Sequence, residues 1–305
     1  MTRKHILSIF LYCLLSLCCM AAGQKTCAHK PPKKKIVFIA GACSHGPAQH
    51  EGRAGCMLLA AALEKSMPGV FETVVYQGSW PNDPKAFDSA AAVVMYCDGN
   101  IYHLVLPHLE EMNALIKKGV GFVCLHYAVE VPKEQGDYFL DWLGGFFETD
   151  WSINPMWVAQ FNTIPKHPVT NGVKPFSIND EWYYHMRFSK DMEGVTPVLT
   201  AVPPAATLAR KDGPHENNPF VRAEAGQPQH LAWVKVRPDG GRGFGFTGGH
   251  YHKNWANDDF RKLVLNGIAW AAHVKIPKNG IASPTPTESE LAMNLDDKPC
   301  AVQKK

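Results

Sequence analysis

The feature that most constrains this chain is a pattern repeated through its first half: apolar runs of strand length alternate with amphipathic stretches of helix length. Lys35–Gly41 (K-I-V-F-I-A-G), Phe71–Tyr76, Ala91–Asp98 and Gly121–Ala128 (G-F-V-C-L-H-Y-A) read as strands. Between them, Gly52–Met67 carries Leu59, Ala62 and Leu63 on one stripe, and Val105, Leu109, Met112 and Ile116 step by four, three and four. Strands that are apolar throughout, rather than alternating, must be covered on both faces. With helices between them they imply a mostly parallel sheet inside a three-layer sandwich.

The second half is less regular. Trp157–Asn162, Trp182–Phe188, Val195–Ala201, Leu231–Val236 and Gly243–Thr247 read as strands, several of them antiparallel, and Asp258–His273 as a last helix with Phe260, Val264, Gly267 and Ala271 on one side. The expectation is one α/β domain over residues 34–276, of flavodoxin-like type with strand-rich insertions. A linker (24–33) precedes it and a polar tail (277–305) follows it.

Residues 1–23 have a basic start, an apolar run from Ile6 to Cys19, and then Ala21, Ala22 and Gly23. This reads as a secretory signal peptide, and the run is shorter than the ~20 residues a membrane span needs. Export to the periplasm or medium follows, with no stable span after cleavage. A lipoprotein is the weaker reading, because Leu17 precedes Cys18 where a small residue is wanted. The net charge of +3 shows no basic face interleaved with aromatics, so nucleic acid is not an expected partner. Oligomeric state is left open. Cys43, Cys56, Cys97 and Cys124 lie in or beside apolar segments and read as small hydrophobes, whereas Cys27 and Cys300 are available to pair in an oxidising compartment.

In open parallel sheets, ligands bind beyond the carboxyl ends of the strands. That rim collects polar residues from remote segments. His45, His50 and Glu51 follow the first strand in S-H-G-P-A-Q-H-E; Asp98 and His103 follow the third; His126, Tyr127 and Glu130 follow the fourth. Asp180 and Glu181 open D-E-W-Y-Y, and His250 and His252 stand in G-G-H-Y-H. Neutral imidazoles with carboxylates form the usual ligand set for zinc and similar divalent ions, and without metal the same groups act as acid and base. The spacing H-x-x-x-x-H-E is not the metalloprotease H-E-x-x-H. G-G-R-G-F-G-F-T-G-G (240–249) lacks the strand–turn–helix order of a nucleotide fingerprint, so no nucleotide cofactor is expected.

The set S-H-G-P-A-Q-H-E, G-F-V-C-L-H-Y-A, H-P-V-T-N-G-V (167–173), D-E-W-Y-Y and G-G-H-Y-H-K-N-W, in this order between Lys34 and His273, resembles the trehalose-utilisation (ThuA-like) family. The resemblance implies a class I glutamine amidotransferase-like fold and a site at His50, Glu51, His126, Glu181 and His250. It also implies carbohydrate catabolism, of trehalose-like disaccharides and their 3-keto derivatives. The expected function is therefore an exported enzyme that isomerises, eliminates or hydrolyses a sugar or keto-sugar. His126, Glu181 and Glu51 would handle protons and His50 and His250 would bind a divalent metal. His45, Asp98, Tyr127, Glu130, Asp180, Tyr183, His252 and Trp255 would meet the carbohydrate. Two alternatives stand beside it: a non-catalytic sugar-binding protein on the same fold, and a hydrolase using Cys124. The second is disfavoured because V-C-L-H lacks the glycines that a strained nucleophile elbow needs.

Overall fold

A computed structural model describes residues 31–298. The signal segment, Cys27 and Cys300 lie outside the described residues. The four expected strands form: β1 (Lys34–Ala40), β2 (Phe71–Gln77), β3 (Ala90–Tyr96) and β4 (Gly121–Leu125). Each is rich in β-branched or aromatic residues, and they pair in parallel, with Val37 opposite Val74 on one side and Val93 on the other. Successive side chains point to opposite faces. Ile36, Phe38, Val94, Val123 and Leu125 therefore enter one core with the helices Gly52–Ser66 and Asp258–Ala271. Val37, Ile39, Val93, Phe122 and Cys124 enter a second core with the helices Leu109–Ile116 and Gly136–Trp142.

After β4 the chain makes a long excursion. It includes β5 (Gly145–Phe146), a hairpin of β6 (Met156–Phe161) and β7 (Phe176–Glu181), β8 (Arg187–Phe188), β9 (Val195–Ala201) and β10 (Gln229–Val236). It returns as β11 (Arg242–Phe246), parallel to β4. The seven-stranded order is β2-β1-β3-β4-β11-β10-β9, with β10 and β9 antiparallel. Its first five strands follow the flavodoxin-like order. The helix Asp258–Ala271 is capped by Asn257, whose side chain accepts from Asp259 N and Phe260 N. It seats closely because Gly267 leaves room for Phe244: a Cβ there would lie 2.3 Å from the ring.

Two expectations shift. The strand expected at Trp182–Phe188 ends at Glu181 instead. Trp182, Tyr183 and Tyr184 are all buried, which an alternating hairpin strand cannot do, so the chain bends there, makes a single bridge from Tyr184 to Ile153 and forms a strand again at β8. The segment after residue 277 is partly core: Ile281 is buried and its N–H donates to Asn266 Oδ1. Cys56, Cys97 and Cys124 are free and buried, as expected, whereas Cys43 is disulfide-bonded. Among the described residues no helix is long and apolar enough to cross a membrane.

Candidate metal centre

Four side chains from four remote segments converge at the carboxyl end of the sheet. His50 follows β1, His126 follows β4, Glu181 ends β7, and His250 follows β11. His50 Nε2 lies 3.1 Å from His126 Nε2 and 3.0 Å from His250 Nδ1. Glu181 Oε2 lies 3.1 Å from His250 Nδ1, 3.4 Å from His126 Nε2 and 3.9 Å from His50 Nε2. Ligand atoms about 2.1 Å from a tetrahedral ion are ~3.4 Å apart, so this donor set fits one divalent cation.

The outer hydrogen bonds strengthen the case. His126 Nδ1 is 2.8 Å from Thr247 O, and His50 Nδ1 is 3.3 Å from Asp98 Oδ1. The carbonyl and the carboxylate accept only, so both rings carry Nδ1–H, as metal-bound histidines usually do. In the neutral rings two Nε2 lone pairs then face each other at 3.1 Å. A cation must sit between them, either a proton or a metal ion. Burial lowers the His50 pKa, but Asp98 and Glu181 outweigh it and raise it above the usual histidine value. Burial and the His50 charge lower that of His126. Burial would raise the Glu181 carboxyl, yet hydrogen bonds with His126, His250 and His50 hold it well below the carboxylate range.

The backbone is strained where it delivers these rings. His50 has φ 47° and His126 φ 56°, conformations that cost a non-glycine residue about 1–3 kcal/mol. The first is held by cross-loop bonds, His50 N to His250 O (3.0 Å) and His252 N to Ala48 O (3.0 Å). Tyr183, buried, places its hydroxyl 3.3 Å from both His126 Nε2 and Glu181 Oε2.

The family profile described as trehalose utilisation (ThuA) matches residues 65–271, more than half of the chain. The chain belongs to the ThuA family. It is similar in structure to a ThuA-like protein from Bacteroides uniformis ATCC 8492, with 16% identity, TM-score 0.55, and coverage of 80% of this chain and 93% of that one. A ThuA-like protein from Parabacteroides merdae ATCC 43184 gives 17% identity and TM-score 0.55, over 83% of this chain and 98% of that one. No curated protein matches the sequence.

In this ThuA-family chain the other expected site residues divide into two groups. His45 stacks on His50 at 3.5 Å and its side chain is 25% exposed; burial and the neighbouring His50 push its pKa down to about 3. Asp98 holds His50 and accepts from Ser44 Oγ at 2.8 Å. Tyr127 stands edge-on to His45 and His50. A void of ≈ 10 Å³ lies behind His50 and His126, and His45 and Tyr127 border the cluster.

The remaining candidates do other things. The Glu51 carboxylate turns away from the cluster: it pairs with buried Lys298 at 3.2 Å and accepts from Ala48 N and Asp296 N, tying the histidine loop to the C-terminal segment. Asp180 is fully buried and accepts from Gly249 N (2.8 Å), His250 N (3.0 Å), Asn254 Nδ2 (3.0 Å) and Glu181 N (2.8 Å). It is a clamp that aims His250, with no lone pair left for a sugar. His252 and Trp255 are buried, and Trp255 packs on Tyr96 and Phe260 as core. Burial raises the Cys124 thiol well above its ordinary value, so the thiolate a hydrolase would need is suppressed. Sequence reasoning missed Asn154, which donates to Glu181 Oε1 at 3.1 Å, and His215, which contacts Glu130. Both lie in irregular loops, where no periodicity points to the rim; the only hint was an H-E-N-N-P stretch in a turn-rich segment.

Proposed function

We infer that this ThuA-family protein is an exported carbohydrate-catabolism enzyme whose site is a divalent metal centre held by His50, His126, His250 and Glu181. One observation carries the reading: three imidazole nitrogens and a carboxylate oxygen lie within 4.8 Å of one another, with the outer nitrogens of His50 and His126 committed to acceptors. A bound ion of this kind would polarise a substrate carbonyl or hydroxyl. The chain's own residues supply the rest. Asp98 and Thr247 orient the rings, Tyr183 offers a hydroxyl at the inner edge, and His45 and Tyr127 border the cluster. The family description, trehalose utilisation, supports a sugar or keto-sugar as the substrate class.

The test is elemental analysis of the purified protein beside His126→Ala. About one equivalent of a transition metal in the wild type, lost in the variant, is the expected result. A metal-free wild type that takes up none of zinc, manganese, iron or nickel on dialysis would refute the metal centre.

A further inference from the structure

Outside the cluster the described residues hold a second buried carboxylate joined to an imidazole. Glu130 is fully buried at the end of the turn that begins with His126. Its Oε1 accepts from Asn100 Nδ2 (2.9 Å) and Thr149 Oγ1 (3.0 Å) and faces His215 Nε2 at 2.6 Å. Its Oε2 is buried with no partner. Gly99 permits the approach, because a Cβ there would strike Tyr127 O at 2.2 Å and Glu130 Cβ at 2.9 Å.

His215 comes from the loop between β9 and β10, at φ 62°, stacked on Phe147 with its side chain 19% exposed. Because the carboxylate accepts, Nε2 carries the proton and Nδ1 the lone pair, and Nδ1 has no hydrogen-bond partner among the described residues. A buried carboxylate fastening a loop would account for the 2.6 Å contact alone. It accounts less well for a strained histidine backbone, an open Nδ1 edge and an unpartnered carboxylate oxygen. The loop is also wired to the metal cluster. Asn154 donates its N–H to His215 O (3.0 Å) and its Nδ2 to Glu181 Oε1 (3.1 Å). Phe147, under His215, also packs against Tyr183, whose ring tilts over His126.

We propose that His215, held by Glu130, is the base that removes a proton from a hydroxylated carbonyl compound bound at the His/Glu cluster. This rests on the metal-centre reading above. The C–H bond beside the carbonyl breaks and its hydrogen passes as a proton to Nδ1. The released electron pair forms a carbon–carbon double bond and the carbonyl π pair moves onto oxygen, giving an enolate. Nδ1–H then returns the proton to the same carbon as the carbonyl re-forms, so no oxidant or further reactant is consumed. Glu130 is a positioning residue: it fixes the tautomer and stabilises the imidazolium, as the carboxylate does in hydrolase triads.

The test follows loss of the hydrogens beside the carbonyl of a methyl keto-glucoside in D₂O by ¹H NMR, with the metal-loaded full chain. His215→Ala is expected to slow exchange by about 100-fold or more, with partial rescue by added imidazole. His215→Gln keeps a donor to Glu130 but no base, so the same loss at an unchanged melting temperature separates chemistry from folding. Glu130→Gln should slow exchange and shift the ¹⁵N signals of His215 away from the Nε2–H tautomer. Both His215 variants should keep the wild-type metal content. Undiminished exchange in His215→Gln overturns the proposal. A metal-loaded wild type that exchanges nothing overturns it too, while leaving the metal centre standing. Exchange by a metal-free wild type that still depends on His215 upholds the pair and overturns the metal reading alone.

Discussion

Strands β4 and β7 each lead into the candidate metal centre, β4 just before His126 and β7 at its last residue Glu181, and they hold it by different means. β4 is central, buried along its whole length and paired in parallel on both sides, and it delivers His126 through a positive-φ turn. β7 belongs to a two-stranded hairpin with alternating exposure, and it delivers Glu181 beside a buried Asp180 that takes over the work a ladder does elsewhere. The difference teaches that the imidazoles of His50 and His126 inherit their placement from the sheet. The carboxylate depends on a local clamp, and the centre exists only where sheet and excursion meet.

The largest effect should come from cutting either half of that meeting. Structural zinc sites gain about 10–16 kcal/mol from four ligands, so each ligand supplies roughly 3 kcal/mol. His126→Ala and Glu181→Gln should each weaken zinc by on the order of 100-fold or more, measured by competition with a chromophoric chelator. Equal losses would show that hairpin and sheet contribute alike. Tight zinc in Glu181→Gln would remove the hairpin from the centre and leave a three-histidine site.

Next in size is the clamp. Asp180→Asn replaces an oxygen that accepts N–H bonds with an amide that donates, so two of Gly249 N, His250 N, Asn254 Nδ2 and Glu181 N lose a partner. The expected cost is about 3 kcal/mol in urea unfolding, with metal affinity falling as His250 loses its aim. Glu181→Gln should also destabilise the metal-free protein, because the buried carboxylate that the three histidines hold well below its ordinary pKa is lost. A stable Asp180→Asn would show that the hairpin is held by its own strand pairing.

The same contrast explains what was legible in the sequence. The parallel half announces itself, because Val37, Val93 and Val123 sit in strands buried on both faces and no other arrangement tolerates such runs. The rule that ligands gather beyond the carboxyl ends then picked out His50, His126, Glu181 and His250. It also picked out Glu51, Asp180 and His252, because it locates the Cα and says nothing about where the side chain turns. Glu51 turns toward Lys298, a partner remote in sequence, and Trp182–Tyr184 look strand-like while being buried on successive residues. His215 and Asn154 reach the site through irregular loops, which carry no period to read.

His103 gives a pH-dependent contrast between a rim histidine with a lone pair to offer and one consumed by the fold. Its Nε2 is 3.0 Å from Ala128 O and its Nδ1 accepts from Val105 N, so both nitrogens are spent. Burial pushes its pKa down to about 4. Above the unfolded value of about 6.5 the ring is neutral in both states. As pH falls below it only the unfolded chain takes the proton, and stability drops by about 1.4 kcal/mol per unit until pH nears 4. Urea unfolding at pH 7 and pH 5 should therefore show a loss of about 2 kcal/mol from this residue, absent in His103→Gln. An identical slope in the variant would assign the acid sensitivity to other buried histidines.

The smallest effect should come from Cys124, on β4 two residues before His126. Along β4 the side chains alternate: Val123 and Leu125 face one core, Phe122 and Cys124 the other. The thiol therefore packs with Val93, Met95 and Phe139 on the far side, its pKa raised by burial, and it has no route to the rim. Cys124→Ala should cost about 1 kcal/mol for the lost sulfur and leave metal content and keto-glucoside exchange at wild-type levels. A folded Cys124→Ala that keeps its metal but has no activity would return the thiol to the chemistry and require the strand to open. With the activity unchanged, the strand acts only as the rigid arm that carries His126.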